Sequence, residues 1–187
     1  LSSATNKIAE GELMQLANKN NLNTSLQQLK KISYYKTGRL FEASAKSAAM
    51  LSGKSIPFIE NISKAAKLIG IAFQVRDDLL DYGVSKGNIG KPEMQDILED
   101  KITYPLYFAL KYSNKKDSSK ILKKLKNKDF SIEEVADFVS SSNAFNKCNS
   151  LIQNYNNEIS KCINQISNKE IRDEMLNLSE SLKNRYE

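Results

Sequence analysis

Histidine is missing from all 187 residues. That excludes histidine-based catalytic triads, histidine-ligated zinc and histidine pH switching. Acid–base or metal chemistry falls instead to carboxylates, lysines, hydroxyls or a substrate group. Cysteine is nearly missing: Cys148 and Cys162 are too few for a disulfide scaffold. They sit in a stretch that reads as one helix, about 21 Å apart at 1.5 Å per residue, too far to bridge. They are expected as small buried residues of a protein in a reducing, cytoplasmic compartment. No run approaches about 18 apolar residues, so no transmembrane segment is expected. No basic stretch followed by an apolar one opens the chain, so no signal peptide is expected either. Leu1 is not an initiator methionine, and a missing front is expected. Glycine is absent after Gly90, and proline occurs only at positions 57, 92 and 105.

What is present is ordinary for a globular protein: 21.1 kDa, 40% hydrophobic and 27% charged residues. That suits one domain, residues 1–187, with a buried core. The net charge of +6 is uneven. Residues 1–90 hold 12 Lys/Arg against 7 Asp/Glu, and residues 91–187 hold 16 against 15. A basic first half fits phosphate-bearing ligands as well as plain solubility. The lysine-rich stretch 111–128 lacks interleaved aromatic residues beyond Tyr112, so it reads as a solvated segment and not as a nucleic-acid surface.

Three-to-four spacing of apolar residues recurs, and strand-type alternation is scarce, so the chain reads as all-α. Helices are expected over residues 2–19, 25–51, 57–82 and 93–112, the last bent near Pro105. A glycine-rich loop, 83–92, carries two lysines and suits either a lid or a plain connector. Ser131 with Glu134 resembles a capping box. Leu151, Tyr155, Ile159, Ile163 and Ile166 mark an apolar stripe, and a final helix covers about 169–186.

Chemistry concentrates in three places. The first is Phe73-Gln74 followed by Asp77-Asp78-Leu79-Leu80-Asp81. Asp77, Asp78 and Asp81 share one helical face, with Gln74 a turn earlier. Carboxylates this close repel, and the C-terminal end of a helix is unfavourable for anions. Either lysines and solvent compensate them, or they grip a hard cation, for which Mg2+ with phosphate is the usual partner. The second is Lys36-Thr37-Gly38, which interrupts a core-type helix, with Gly38 allowing a kink or close backbone approach. Lys36 is either a snorkelling lysine or a point charge for phosphate. The third is Gly90-Lys91 followed by Asp96 and Lys101.

Taken in order with Gly11-Glu12-Leu13-Met14-Gln15-Leu16, these stretches resemble the trans-isoprenyl diphosphate synthases, most of all the medium- and long-chain polyprenyl synthases. The resemblance covers residues 1 to about 112. It implies an isoprenoid synthase fold, a helical bundle around a central cavity, forming a homodimer. It implies prenyl transfer from an allylic diphosphate to isopentenyl diphosphate with Mg2+. Asp77, Asp78 and Asp81 would then hold the metal. Lys36, Lys91 and Lys101 would contact diphosphate, Thr37 and Gln74 would stabilise the allylic cation, and Phe73 would line the isopentenyl side. Glu12, Gln15 and Asp96 are secondary members.

This sequence departs from the family's pattern in one respect. The family's first aspartate-rich motif belongs upstream of Gly11, and Asp77–Asp81 is the sole DDxxD here. The N-terminal helices of the fold are therefore expected to be missing and the chain alone to be inactive. A non-catalytic partner subunit of a heteromeric prenyl synthase, or a relative of class I terpene cyclases, would carry the same metal logic.

Overall fold

The computed structural model describes residues 2–83 and 94–181. Among them there are helices and no strands, as the 3–4 periodicity requires. Helix α1 (Ser2–Ala17) ends at a turn where Asn20 takes the left-handed conformation, φ 57°. Ser25 opens α2 (Leu26–Ser33) by accepting the Gln28 N–H on its hydroxyl at 3.1 Å. The expected long helix then widens into a π-turn, Tyr34–Gly38, before resuming as α3 (Arg39–Leu51). Arg39 N–H reaches back five residues to the Tyr34 carbonyl. The interruption expected at Lys36-Thr37 is thus one wide turn rather than a break.

Helix α4 (Ile56–Asp81) is the central strut, with Pro57 in its first turn where no N–H is needed. Ala65, Ile69, Ala72, Val75 and Leu79 form a fully buried stripe along it. It packs chiefly against α3 and α9 (Ala144–Ile163). On α9 the facing residues are Cys148, Ile152, Tyr155, Ile159 and Ile163. Both cysteines are buried, and they are free, as their spacing demands.

The expected single helix over 93–112 is instead two. A short α5 (Gln95–Leu98) ends at Asp100 with φ 61°, and α6 (Tyr104–Tyr112) starts afresh with Pro105 in its first turn. Proline opens a helix here rather than bending one. Asp100 also joins three turns: its carbonyl accepts the Asn20 N–H at 2.9 Å and its carboxylate pairs with Lys128 at 2.8 Å.

The lysine-rich stretch forms α7 (Lys115–Asn127), docked through Ile121 with its charged side outward. Ser131 caps α8 (Ile132–Ser141) by accepting the Glu134 N–H, but the Glu134 carboxylate turns to Lys124 at 2.6 Å rather than closing a capping box. Helix α10 (Lys169–Ser181) lies along α9. No described helix is long and apolar enough to cross a membrane.

Truncating Ile69, fully buried at the centre of α4, is expected to cost about 2–5 kcal/mol as Ile69→Ala. Leu51→Ala, at a side chain 90% exposed, should stay within about 0.5 kcal/mol. Urea denaturation of both variants measures the contrast.

Candidate active site

The C-terminal turns of α4 carry Gln74, Asp77, Asp78 and Asp81, and the structure sends their side chains to different neighbours. Asp78 turns inward and is only 6% exposed. Its Oδ1 accepts the Gln74 side-chain amide at 2.9 Å, and its Oδ2 accepts the Tyr104 backbone N–H at 3.3 Å. Gln74 in turn accepts the Thr37 hydroxyl on Oε1 at 2.8 Å. The Tyr104 hydroxyl lies 3.0 Å from Ser33 Oγ, whose own proton goes to the Leu29 carbonyl. One chain of hydrogen bonds therefore runs from the π-turn through α4 to the start of α6 and back to α2.

Asp81 bends the other way. Its two carboxylate oxygens accept the N–H groups of Gln95 and Asp96, each at 3.0 Å, and its carbonyl accepts the Met94 N–H. It holds the start of α5 against the end of α4. Asp96 lies 3.3 Å from Lys101, which also pairs with Glu99 at 2.9 Å. Asp77, one residue before Asp78, is half-buried.

Lys36 projects from the π-turn onto α1. Its Nζ donates to Gln15 Oε1 at 2.5 Å and lies 3.3 Å from Glu12. Glu12 and Gln15 thus join the site through Lys36. Phe73 packs its ring against Phe41, with centroids 6.0 Å apart. Lys91 lies outside the described residues. Gln15, Lys36, Gln74, Asp78, Lys101 and Tyr104 all line one cavity, whose free volume of about 20 Å³ has room for a single water.

The acids perturb one another. Burial pushes the Asp78 carboxyl well above its ordinary range, and the nearby Asp96 and Asp77 charges push it further. Burial and then Asp96 raise Asp81, against the pull of its two N–H donors. Burial also raises Asp96, with Lys101 opposing. Carboxylates that raise each other's pKa gain from a bound cation. Oxygen donors without histidine fit a hard ion such as Mg2+. Among the described residues, however, no three acidic or cysteine side chains converge to hold a metal by themselves. Asp77, Asp78 and Asp81 supply the type of oxygen donor that such an ion takes, but they are not gathered around one point. The oxygens of Asp78 and Asp81 keep a second lone pair beside their N–H donors.

Sequence periodicity placed the three aspartates on one face but missed that Asp78 serves as an anchor for α6. A backbone N–H reaching a carboxylate 26 residues earlier leaves no periodic trace in a sequence.

The Polyprenyl synthetase family model matches residues 1–142. The octaprenyl diphosphate synthase of Haemophilus influenzae is 36% identical over 121 residues, 65% of this chain and 37% of its own length. That of Escherichia coli is also 36% identical over 121 residues, covering 65% of this chain and 38% of its own. The chain thus spans less than half the length of these relatives. The crystal structure of a polyprenyl synthase from Caulobacter crescentus, complexed with calcium and isoprenyl diphosphate, superposes with a TM-score of 0.91 at 25% identity, over 100% of this chain and 58% of that one.

The raised values of Asp78, Asp81 and Asp96 mean that the native state keeps protons the unfolded chain has released above about pH 4. Their stabilising effect is full below that pH and is lost as pH climbs through the folded-state values. In metal-free buffer these three acids are therefore expected to take stability away as pH rises above about 4. Asp78→Asn should lessen this loss. Urea midpoints in EDTA across that range read it, and an unchanged slope in the variant would contradict the burial of this carboxyl.

Proposed function

The chain belongs to the polyprenyl synthetase family, and from that premise we propose that it carries the diphosphate-ionising wall of a trans-prenyltransferase. The reaction adds isopentenyl diphosphate to an allylic diphosphate. The observation that carries this reading is the bonded series Thr37–Gln74–Asp78 with Lys36 on the same turn.

Its logic is electrostatic. The allylic C–O bond breaks and diphosphate leaves with the electron pair, so negative charge grows on the leaving group and positive charge on the allyl carbon. Lys36 offers a compact cation beside the cleft, steadied by Gln15 and Glu12. Lys101, and Lys91 on the strength of the resemblance, would add to it. Thr37 gives its proton to Gln74, which leaves the hydroxyl lone pairs available to a neighbouring cation. Gln74 cannot turn its NH2 toward that cation, because Asp78 holds the amide nitrogen. Both oxygen dipoles are thereby fixed with the sign that stabilises an allyl cation. The isopentenyl double bond attacks the cation, and an oxygen of the released diphosphate takes the proton lost afterwards. No histidine is required. Phe73 and Phe41 contribute apolar wall that keeps water from the cation.

Asp77, Asp78 and Asp81 would hold Mg2+, with Asp78 and Asp81 doing so beside their existing N–H donors. When bound, the ion supplies charge neutralisation to the diphosphate. The described residues furnish only part of its shell, so the 187 residues alone are proposed to be inactive. Facing carboxylates from outside these residues would complete it. A homodimer and a cytoplasmic location rest on the family resemblance and, for the latter, on the free buried cysteines.

Full-length protein incubated with an allylic diphosphate and isopentenyl diphosphate should form longer prenyl diphosphates with Mg2+ and none with EDTA. The 187-residue chain should form none. Asp77→Asn should lower turnover by about 100-fold or more. Turnover by the isolated chain, or turnover in EDTA, would overturn the proposal. Activity that appears only on adding a different second chain would instead identify a partner subunit.

A further inference from the structure

Glycine inside a helix is unfavourable unless space or backbone conformation demands it. Gly11, Gly38 and Gly70 lie within helical segments, are buried, and have no positive φ. Space is what demands them. A Cβ on Gly11 would fall 2.5 Å from Lys36 N and 2.8 Å from the Tyr35 carbonyl carbon. A Cβ on Gly70 would fall 2.6 Å from Gly38 Cα and 3.2 Å from Gly38 N. These are backbone atoms, which cannot rotate aside as a side chain can. Helix α1 therefore presses bare backbone onto the π-turn at Lys36, and α4 presses bare backbone onto it at Gly38. Between those two contacts stand Lys36, which lines the cavity, and Thr37, which bonds to Gln74.

We propose that Gly11 and Gly70 are positioning residues for the prenyl-transfer site: as a two-sided backbone clamp they set where the π-turn presents Lys36 and Thr37. The inference deepens the reading of the site given above and rests on it. A π-turn is wider than the flanking α-helix and offers its backbone several ways to relax. The clamp removes that freedom. Its two sides act on different groups. Gly11 touches the Lys36 amide, whose side chain meets Gln15 and Glu12 on the same helix as Gly11. Gly70 touches Gly38, next to Thr37, and lies one turn before Gln74 on α4. The spacing of Thr37 from Gln74 is thus fixed by how closely α4 approaches at Gly70.

Carbon–carbon contacts need about 3.5 Å or more, so alanine at position 70 must drive α4 and the turn apart by about 1 Å. Gly38 is the milder case, since its Cβ would meet the Lys67 carbonyl oxygen at 3.1 Å and otherwise only side-chain atoms of Ile71 and Tyr34 at 3.2 Å. Gly53 is the contrast: φ +62° makes any replacement strained, but nothing lies within 4 Å of its Cβ position.

The test is a graded alanine series in the full-length protein, with kcat and KM read separately and melting temperature recorded for each variant. Gly70→Ala is expected to lower kcat about 100-fold, the cost of a displacement near 1 Å, with KM for isopentenyl diphosphate little changed. Gly11→Ala should lower kcat and also raise KM for the allylic diphosphate, both through Lys36. Gly38→Ala should show a loss of only a few-fold, and it keeps the series readable if Gly70→Ala does not fold. Gly53→Ala should lower the melting temperature and leave kcat alone. Loss of kcat that follows melting temperature across all four variants would overturn the proposal, as would near-normal kcat in folded Gly70→Ala. A crystal structure of Gly70→Ala, or of Gly38→Ala if the first does not fold, gives a readout independent of activity. The Thr37–Gln74 contact, 2.8 Å here, should open beyond hydrogen-bonding distance in the first and lengthen in the second. If the parent protein transferred no prenyl group, the proposed function would fall, and this distance would still decide for or against the clamp.

Discussion

A carboxylate in the last turn of a helix faces the negative end of the helix dipole, and burial removes the water that would relieve it. Asp78 sits in that position. What keeps it there is a pair of donors from two other parts of the chain, the Gln74 amide and the Tyr104 N–H. Through Gln74 the carboxylate orients the amide that meets Thr37, and through Tyr104 it fixes the start of α6. Without it, two buried donors would be stranded, at a cost of about 1–3 kcal/mol each. Three stretches widely separated in sequence, α2 with its π-turn, α4 and α6, would also lose their common anchor.

Around that anchor the remaining acids divide the work. Asp81 uses both of its oxygens to seat α5, and Asp96 on α5 faces Lys101. The same carboxylates that repel each other are therefore the ones that hold α5 against the end of α4. Structure and electrostatic poise come from one set of side chains. A cation entering this cluster would relieve the repulsion without needing the N–H donors to leave, because each carboxylate oxygen has a further lone pair.

The rigid background to this is α4, whose buried stripe from Ala65 to Leu79 locks against α9. Against so fixed a strut, small distances at the π-turn matter. Close approach at Gly70 brings Thr37 within 2.8 Å of Gln74. Close approach at Gly11 holds the base of Lys36 beside Gln15. Catalytic side chains are held by the backbones beneath them as much as by their own hydrogen bonds.

The association of Lys36 and Thr37 with Gln74 and the aspartates came from the family resemblance, whereas the all-α class, the starts of α4 and α8 and the buried cysteines were legible in the local sequence. Each is a local matter, written in periodicity, in capping residues or in proline placement. The split between α5 and α6 was not legible, because it depends on left-handed backbone at Asp100 and on Asp81 reaching across to Gln95 and Asp96. Nor was the inward turn of Asp78, since helical spacing says which residues share a face but not what that face meets. The roles of Gly11 and Gly70 likewise appear only when α1, the π-turn and α4 are in contact. The sequence by itself determined which elements form and which chemical groups they carry, for those follow from neighbours along the chain. Only the tertiary structure decided which segment each carboxylate anchors, because that depends on donors and backbones far apart in sequence and brought together by packing.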